Sequence, residues 1–120
     1  MNEPTPPADT SLLADTRDAL VERWNVRPDA ESDWEILLEA LAERILGLLR
    51  DNPDKLFSAL YVLDISERIT REAMAAPTIQ DKAAALAKAI LDRETQKIAT
   101  RRKYATRRSA PEITGPAQQV

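Results

Sequence analysis

From Thr78 to Arg108 the chain reads TIQDKAAALAKAILDRETQKIATRRKYATRR, without a single Gly or Pro. Helix formers fill this stretch, which points to one long helix. Thr78 is placed to cap it, with Asp81 three residues on as an acidic capping partner suited to the helix dipole. If continuous from Ile79 to Tyr104, the helix spans roughly 40 Å at about 1.5 Å per residue. Its first half carries an apolar stripe of Ile79, Ala83, Leu86, Ala87 and Ile90. In the second half Glu94, Lys97 and Arg101 occupy the same face, with Ile98 as the lone aliphatic anchor. The expectation is a helix that outruns its core near Leu91 and ends as an exposed basic tip. Glu94 and Lys97 can instead pair weakly along the helix, or form a polar seam that fixes register under a partner helix.

The remaining elements are read from punctuation and period. Residues 1–9 are Pro-rich and read as a disordered tail. Asp9 or Thr10 caps a first helix to about Asn25, with a thin apolar face of Leu13, Leu20 and Trp24. Residues 10–31 therefore form a helical extension and connector. Ser32 and Glu35 are spaced as a capping box. After them Trp34, Leu37, Leu38, Leu41, Ile45, Leu48 and Leu49 share one helical face to about Arg50. Gly47 suggests a close helix contact. Asn52-Pro53 reads as cap and first helical position of a third helix to about Leu63. Leu56, Phe57, Leu60 and Tyr61 are expected to face inward there. Asp64 is read as the cap of a fourth helix, which would bury Ile65, Ile69 and Ala73. Pro77 separates it from the long helix. No stretch alternates with period two, so no sheet is predicted. The fold class is all-α: a small bundle of four or five helices with a long C-terminal helix and disordered termini. Residues 32–104 form the helical domain and 105–120 a basic-to-disordered tail.

Composition narrows the chemistry. With 120 residues there is room for one domain. Hydrophobic residues are 43 %, enough for a core, but aromatics are only 4 %, so Leu, Ile and Ala must fill it. There is no Cys and no His, which removes disulfides, thiolate ligands, thiol nucleophiles and imidazole chemistry. The N-terminus MNEPTPPADT lacks the pattern of a secretory signal, and no apolar run matches a membrane span. The expected location is the cytoplasm, with no membrane partner.

Charge is unevenly spread. Residues 1–54 hold 13 acids and 5 bases, and residues 96–120 hold 6 bases and one acid, Glu112. The ends are expected either to neutralise each other, within one chain or between subunits, or to meet partners. Lys97, Arg101, Arg102, Lys103, Arg107 and Arg108, with Tyr104, form the basic cluster. Together with Glu94 they are the candidate interaction surface. Cations at a helix C-terminus are favoured by the dipole without any partner. A phosphate backbone is the alternative occupant, and the acidic remainder of the chain counts against it. Glu31, Glu35, Glu39 and Glu43 are spaced by four and form a candidate acidic surface. The ordinary account is a solvated face, and the sharper one is a contact for the basic helix. Asp15-x-x-Asp18 and Asp64-x-x-Glu67 are the nearest approach to the paired acids of a carboxylate metal site.

Two segments resemble a family of small uncharacterised bacterial proteins. There a turn of the form LYxxDxxE precedes a helix ending in RQxQKxxTRxKY. Here the first pattern is Leu60, Tyr61, Asp64 and Glu67. The second is Arg93, Gln96, Lys97, Thr100, Arg101, Lys103 and Tyr104, with Glu94 in place of the usual glutamine. The likeness covers about Asp51 to Tyr104. It implies that this part is a unit with an N-terminal extension, and it carries no activity. The expected function is a non-enzymatic helical protein-interaction module, bound to a partner or to itself. The alternative is a nucleic-acid-associated protein, and a carboxylate-dependent metal enzyme is third. Neither catalytic residues nor a small-molecule substrate, cofactor or metal is assigned.

Overall fold

The computed structural model describes the backbone of residues 5–29 and 31–109, and side chains over 11–29 and 31–104. Five helices follow in order: α1 Thr5–Trp24, α2 Trp34–Asp51, α3 Pro53–Leu63, α4 Glu67–Met74 and α5 Ile79–Ser109. The described residues contain no strand. The expected tail 1–9 is narrower than read. Thr5 to Asp9 belong to α1, with Pro6 and Pro7 in its first turn, where a missing N–H breaks no helical bond. Residues 1–4 and 110–120, the remainder of the expected disordered ends, lie outside the described residues.

Caps set the boundaries. Thr78 Oγ1 accepts from the Asp81 N–H at 3.0 Å and starts α5. Asn52 Oδ1 accepts from the Lys55 N–H at 3.3 Å, with Pro53 at the first position of α3. Both were predicted. Two others move. α2 is capped by Asp33, whose carboxylate accepts from the Ile36 N–H at 3.0 Å, and not by Ser32. The Ser32 N–H closes a turn onto the Asp29 carbonyl, and the buried Ser32 Oγ has no hydrogen-bond partner among the described residues. Asp64 does not cap α4. It ends α3 in the left-handed region, with φ of 67°. Asp64 N–H donates to Tyr61 O and Ile65 N–H to Leu60 O, the two bonds of a Schellman turn, and Ile65 packs on the core. Ile65 completes the turn, and the next residue, Ser66, starts α4 with its Oγ accepting from the Ile69 N–H.

α2 and α5 form the centre. Leu37, Leu41, Ile45 and Leu48 bury one stripe of α2, and Ala83, Leu86, Ala87, Ile90 and Leu91 bury one of α5. Each large aliphatic so buried stabilises by about 1.5–3 kcal/mol. Gly47 plays no part in close approach, since a Cβ there would meet nothing within 4 Å. α3 buries Leu56, Leu60 and Leu63. Its Phe57 and Tyr61, expected inside, are exposed, Tyr61 by 85 %. Ile69 of α4 is also exposed, leaving Ala73 as the buried residue of that helix.

α1, whose apolar face is thin, completes the bundle. It packs against the second half of α5: Asp15 meets Arg102, Thr16 meets Thr95, and Trp24 meets Glu94. Thr16, Leu20 and Trp24 are buried there, and so is Ile98. The core continues under α1 and does not end at Leu91.

Candidate interaction surfaces

The basic end of α5 divides. Glu94, read as surface, is 2 % exposed. Its Oε2 accepts from Trp24 Nε1 at 2.9 Å and lies 3.7 Å from Arg23 Nε. The pairing is needed, because an unpaired carboxylate at this depth would cost several kcal/mol. Trp24 is fixed at both ends, since Arg44 Nε donates to its carbonyl at 3.0 Å. Lys97 is half-buried. Arg102 is tied to α1, donating to Asp15 Oδ2 and to Ser11 Oγ. Arg101, Lys103 and Tyr104 are exposed. Arg107 and Arg108 belong to α5, and their side chains lie outside the described residues.

The acidic row is solvated. Glu31 sits in the turn before α2, and Glu35, Glu39 and Glu43 are exposed along it. This is the ordinary account of the row, and the basic helix meets acids of α1 in its place. Asp15, Asp18 and Glu22 line a cleft with Arg23, Arg101 and Arg102. The charge gradient is thus partly neutralised inside one chain.

Three of the four acids in the Asp15/Asp18 and Asp64/Glu67 pairs lie beside arginines. Asp15 pairs with Arg102, Asp18 lies 4.0 Å from Arg17, and Asp64 lies 3.7 Å from Arg93. Among the described residues no group of three or more acids is placed to hold a metal ion. No helix among them is long and apolar enough to cross a membrane. The Asp64–Arg93 contact also joins the two segments that carry the family resemblance. Arg93 Nε donates to the Leu63 carbonyl at 3.0 Å, so the α3 turn is pinned to α5.

A surface that the sequence reading missed lies over α5. One cavity of about 860 Å³ is lined by Ile65, Ile69 and Ala73 on the α4 side, Ala84, Ala85 and Ala89 on α5, and Leu38 of α2. A second, of about 520 Å³, is lined by Trp34, Glu35, Leu38, Leu91, Thr95 and Ala99. Both include Leu38, Lys88, Asp92 and Gln96, so they are two parts of one groove. From Ala84 to Ala99 it follows α5 for roughly 22 Å. Its charged lining is four acids, Glu35, Asp64, Glu72 and Asp92, against two bases, Lys88 and Arg93. The spacing of Ile65, Ile69 and Ala73 is its signal in the sequence, and a core face has the same spacing.

No family model matches the sequence, and neither the characterised proteins nor the solved structures compared with it include a match.

Proposed function

We propose that the chain is a non-enzymatic helical interaction module. Its groove over α5 holds an amphipathic helix of a partner protein, one with an apolar stripe and basic flanks. The observation that carries this reading is the groove itself. Its floor of Ala84, Ala85 and Ala89 admits a helix at close range, and Ile65 and Ile69 supply apolar walls. Helix-in-groove recognition uses an apolar channel of this kind, read by anchors one turn apart. Asp64, Asp92 and Glu72 already meet Arg93, Lys88 and Arg68, which leaves Glu35 as the acid of the lining that selects basic flanks on the partner. The basic end of α5 from a second copy has the matching charge, but Tyr104 is its one large apolar anchor among the described side chains.

The phosphate-backbone reading loses ground on the same geometry. Arg102 is engaged by Asp15, and Asp18 and Glu22 line the cleft beside Arg101. An acidic helix alongside a basic one repels the phosphates that the basic one would attract.

The test uses labelled helical peptides of about four turns with a Leu/Ala stripe. One carries Lys flanks, one Glu flanks, and one a scrambled stripe. Fluorescence anisotropy should show saturable binding of the Lys-flanked peptide and at least about tenfold weaker binding of the others. Ala85→Arg, at an exposed floor position, should abolish binding without lowering the melting temperature. Equal binding of all three peptides, or undiminished binding by Ala85→Arg, overturns the reading.

A further inference from the structure

On the opposite flank of α5 from the groove, a separate cavity is lined by the buried carboxylate of Glu94. It measures about 360 Å³ and lies between the end of α1, α3 and α5. Trp24, Ala59, Val62 and Leu63 give it apolar walls, and Arg23 and Glu94 supply the charge. We infer that this cavity is a binding site for a small apolar molecule carrying a protonated amine, with Glu94 as the group that recognises the ammonium.

The argument starts from the two oxygens of Glu94. Trp24 and Arg23 both converge on Oε2. Oε1 has no hydrogen-bond partner among the described residues. It is also not sealed off: the only fully enclosed side-chain N or O atom without a partner among those residues is Ser32 Oγ. The remaining 2 % exposure of Glu94 therefore belongs with the cavity that it lines. A carboxylate can accept at both oxygens, so Glu94, which lines this cavity, keeps acceptor capacity at Oε1.

Glu94 is already desolvated by the fold, so a ligand cation arriving at Oε1 meets a charge that water does not compete for. Arg23 does not forbid this. Its Nε stands 3.7 Å from Oε2, beyond charge-assisted hydrogen-bond length, and its side chain is 43 % exposed. Solvent screens it, and it can swing outward. The volume suits one small ring or branched chain, within the range of ligand pockets with few polar groups. The site is on a different face from the helix groove, and the two readings stand or fall separately.

Three probes of one shape and different charge decide it: 2-phenylethylamine, 2-phenylethanol and 3-phenylpropionate. The readout is the Trp24 indole N–H signal in a proton–nitrogen correlation spectrum, assigned in a Trp34→Phe background. The amine should shift this signal saturably. The alcohol should bind at least about tenfold more weakly, and the acid not at all. Ala59→Leu, which fills the cavity and keeps a helix former, should weaken the amine at least tenfold. Glu94→Gln should erase the preference of amine over alcohol. If Glu94→Gln fails to fold, the ranking of the probes on the Trp34→Phe protein and the Ala59→Leu variant still decide. Equal binding of amine, alcohol and acid, no saturable shift with the amine, or an effect untouched by Ala59→Leu overturns the inference.

Discussion

Trp24 Nε1 donates to Glu94 Oε2 at 2.9 Å across 70 residues of sequence, between two buried side chains. The bond makes α1 part of the fold and not an appendage. Trp24→Phe keeps most of the ring and removes the donor. It should cost about 1.5–3 kcal/mol, because it takes a hydrogen bond from a charged, buried acceptor. Glu94→Ala should cost at least as much. The double variant should cost less than the sum, with a coupling of about 0.5–3 kcal/mol. Urea melts on the four proteins measure this. Strict additivity would mean that the pair does not hold α1 to α5.

The start of α2 gives a sharper test, because two neighbouring residues make opposite predictions. Asp33→Ala removes the acceptor of the Ile36 N–H and should cost about 0.5–2 kcal/mol. Ser32→Ala deletes a buried hydroxyl that has no partner among the described residues, and should be neutral or stabilising. Matching urea midpoints for the two variants would contradict this cap.

Gly47 lies inside α2 with open space where its Cβ would be. Gly47→Ala should therefore raise stability by about 0.5–1 kcal/mol, by restricting the unfolded chain and improving helix propensity. A loss of stability in thermal melts would show a contact at that position after all.

Asp64 occupies the left-handed position where a Schellman turn favours Gly. Its pairing with Arg93 is between side chains 88 % and 30 % exposed, so it contributes little. Asp64→Gly should leave stability unchanged or raise it by up to about 1 kcal/mol. A clear loss in urea melts would mean that the Arg93 contact outweighs the backbone strain.

These cases also show what a sequence discloses. Thr78, Asn52-Pro53 and the α2 stripe were legible because their bonds close within three or four residues. Ser32 and Asp33 are both good caps, and one residue of register was decided by the turn that buries Ser32. Asp64 and Ser66 are a similar pair, separated by a Schellman turn whose usual Gly signal is missing. Phe57 and Tyr61 misled because α3 is short, and apolar residues all round it do not fix its phase. Glu94 was unreadable locally. Its burial depends on Trp24, and nothing near Glu94 announces an indole arriving from α1. The groove was hidden for the converse reason, since Ile69 looks like core until α4 is seen to leave it exposed.

The last prediction concerns the exposed basic residues. Arg102 is held by Asp15 and Ser11 in a part-exposed setting, so Arg102→Gln should cost under about 1 kcal/mol, and less in high salt. Arg101→Gln and Lys103→Gln, at exposed positions, should each stay within about 0.5 kcal/mol. Their effect on phosphate binding separates the two functional readings. A clamp using six bases would give a slope of log affinity against log salt near about −5, at roughly −0.9 per phosphate contact. With Arg102 committed to α1, the expected result is no salt-dependent binding of a long duplex, and no change on replacing Arg101 and Lys103. A steep slope that flattens in the Arg101→Gln/Lys103→Gln double variant would instead make the end of α5 a phosphate-binding surface. The groove would then need its own support from the labelled peptides.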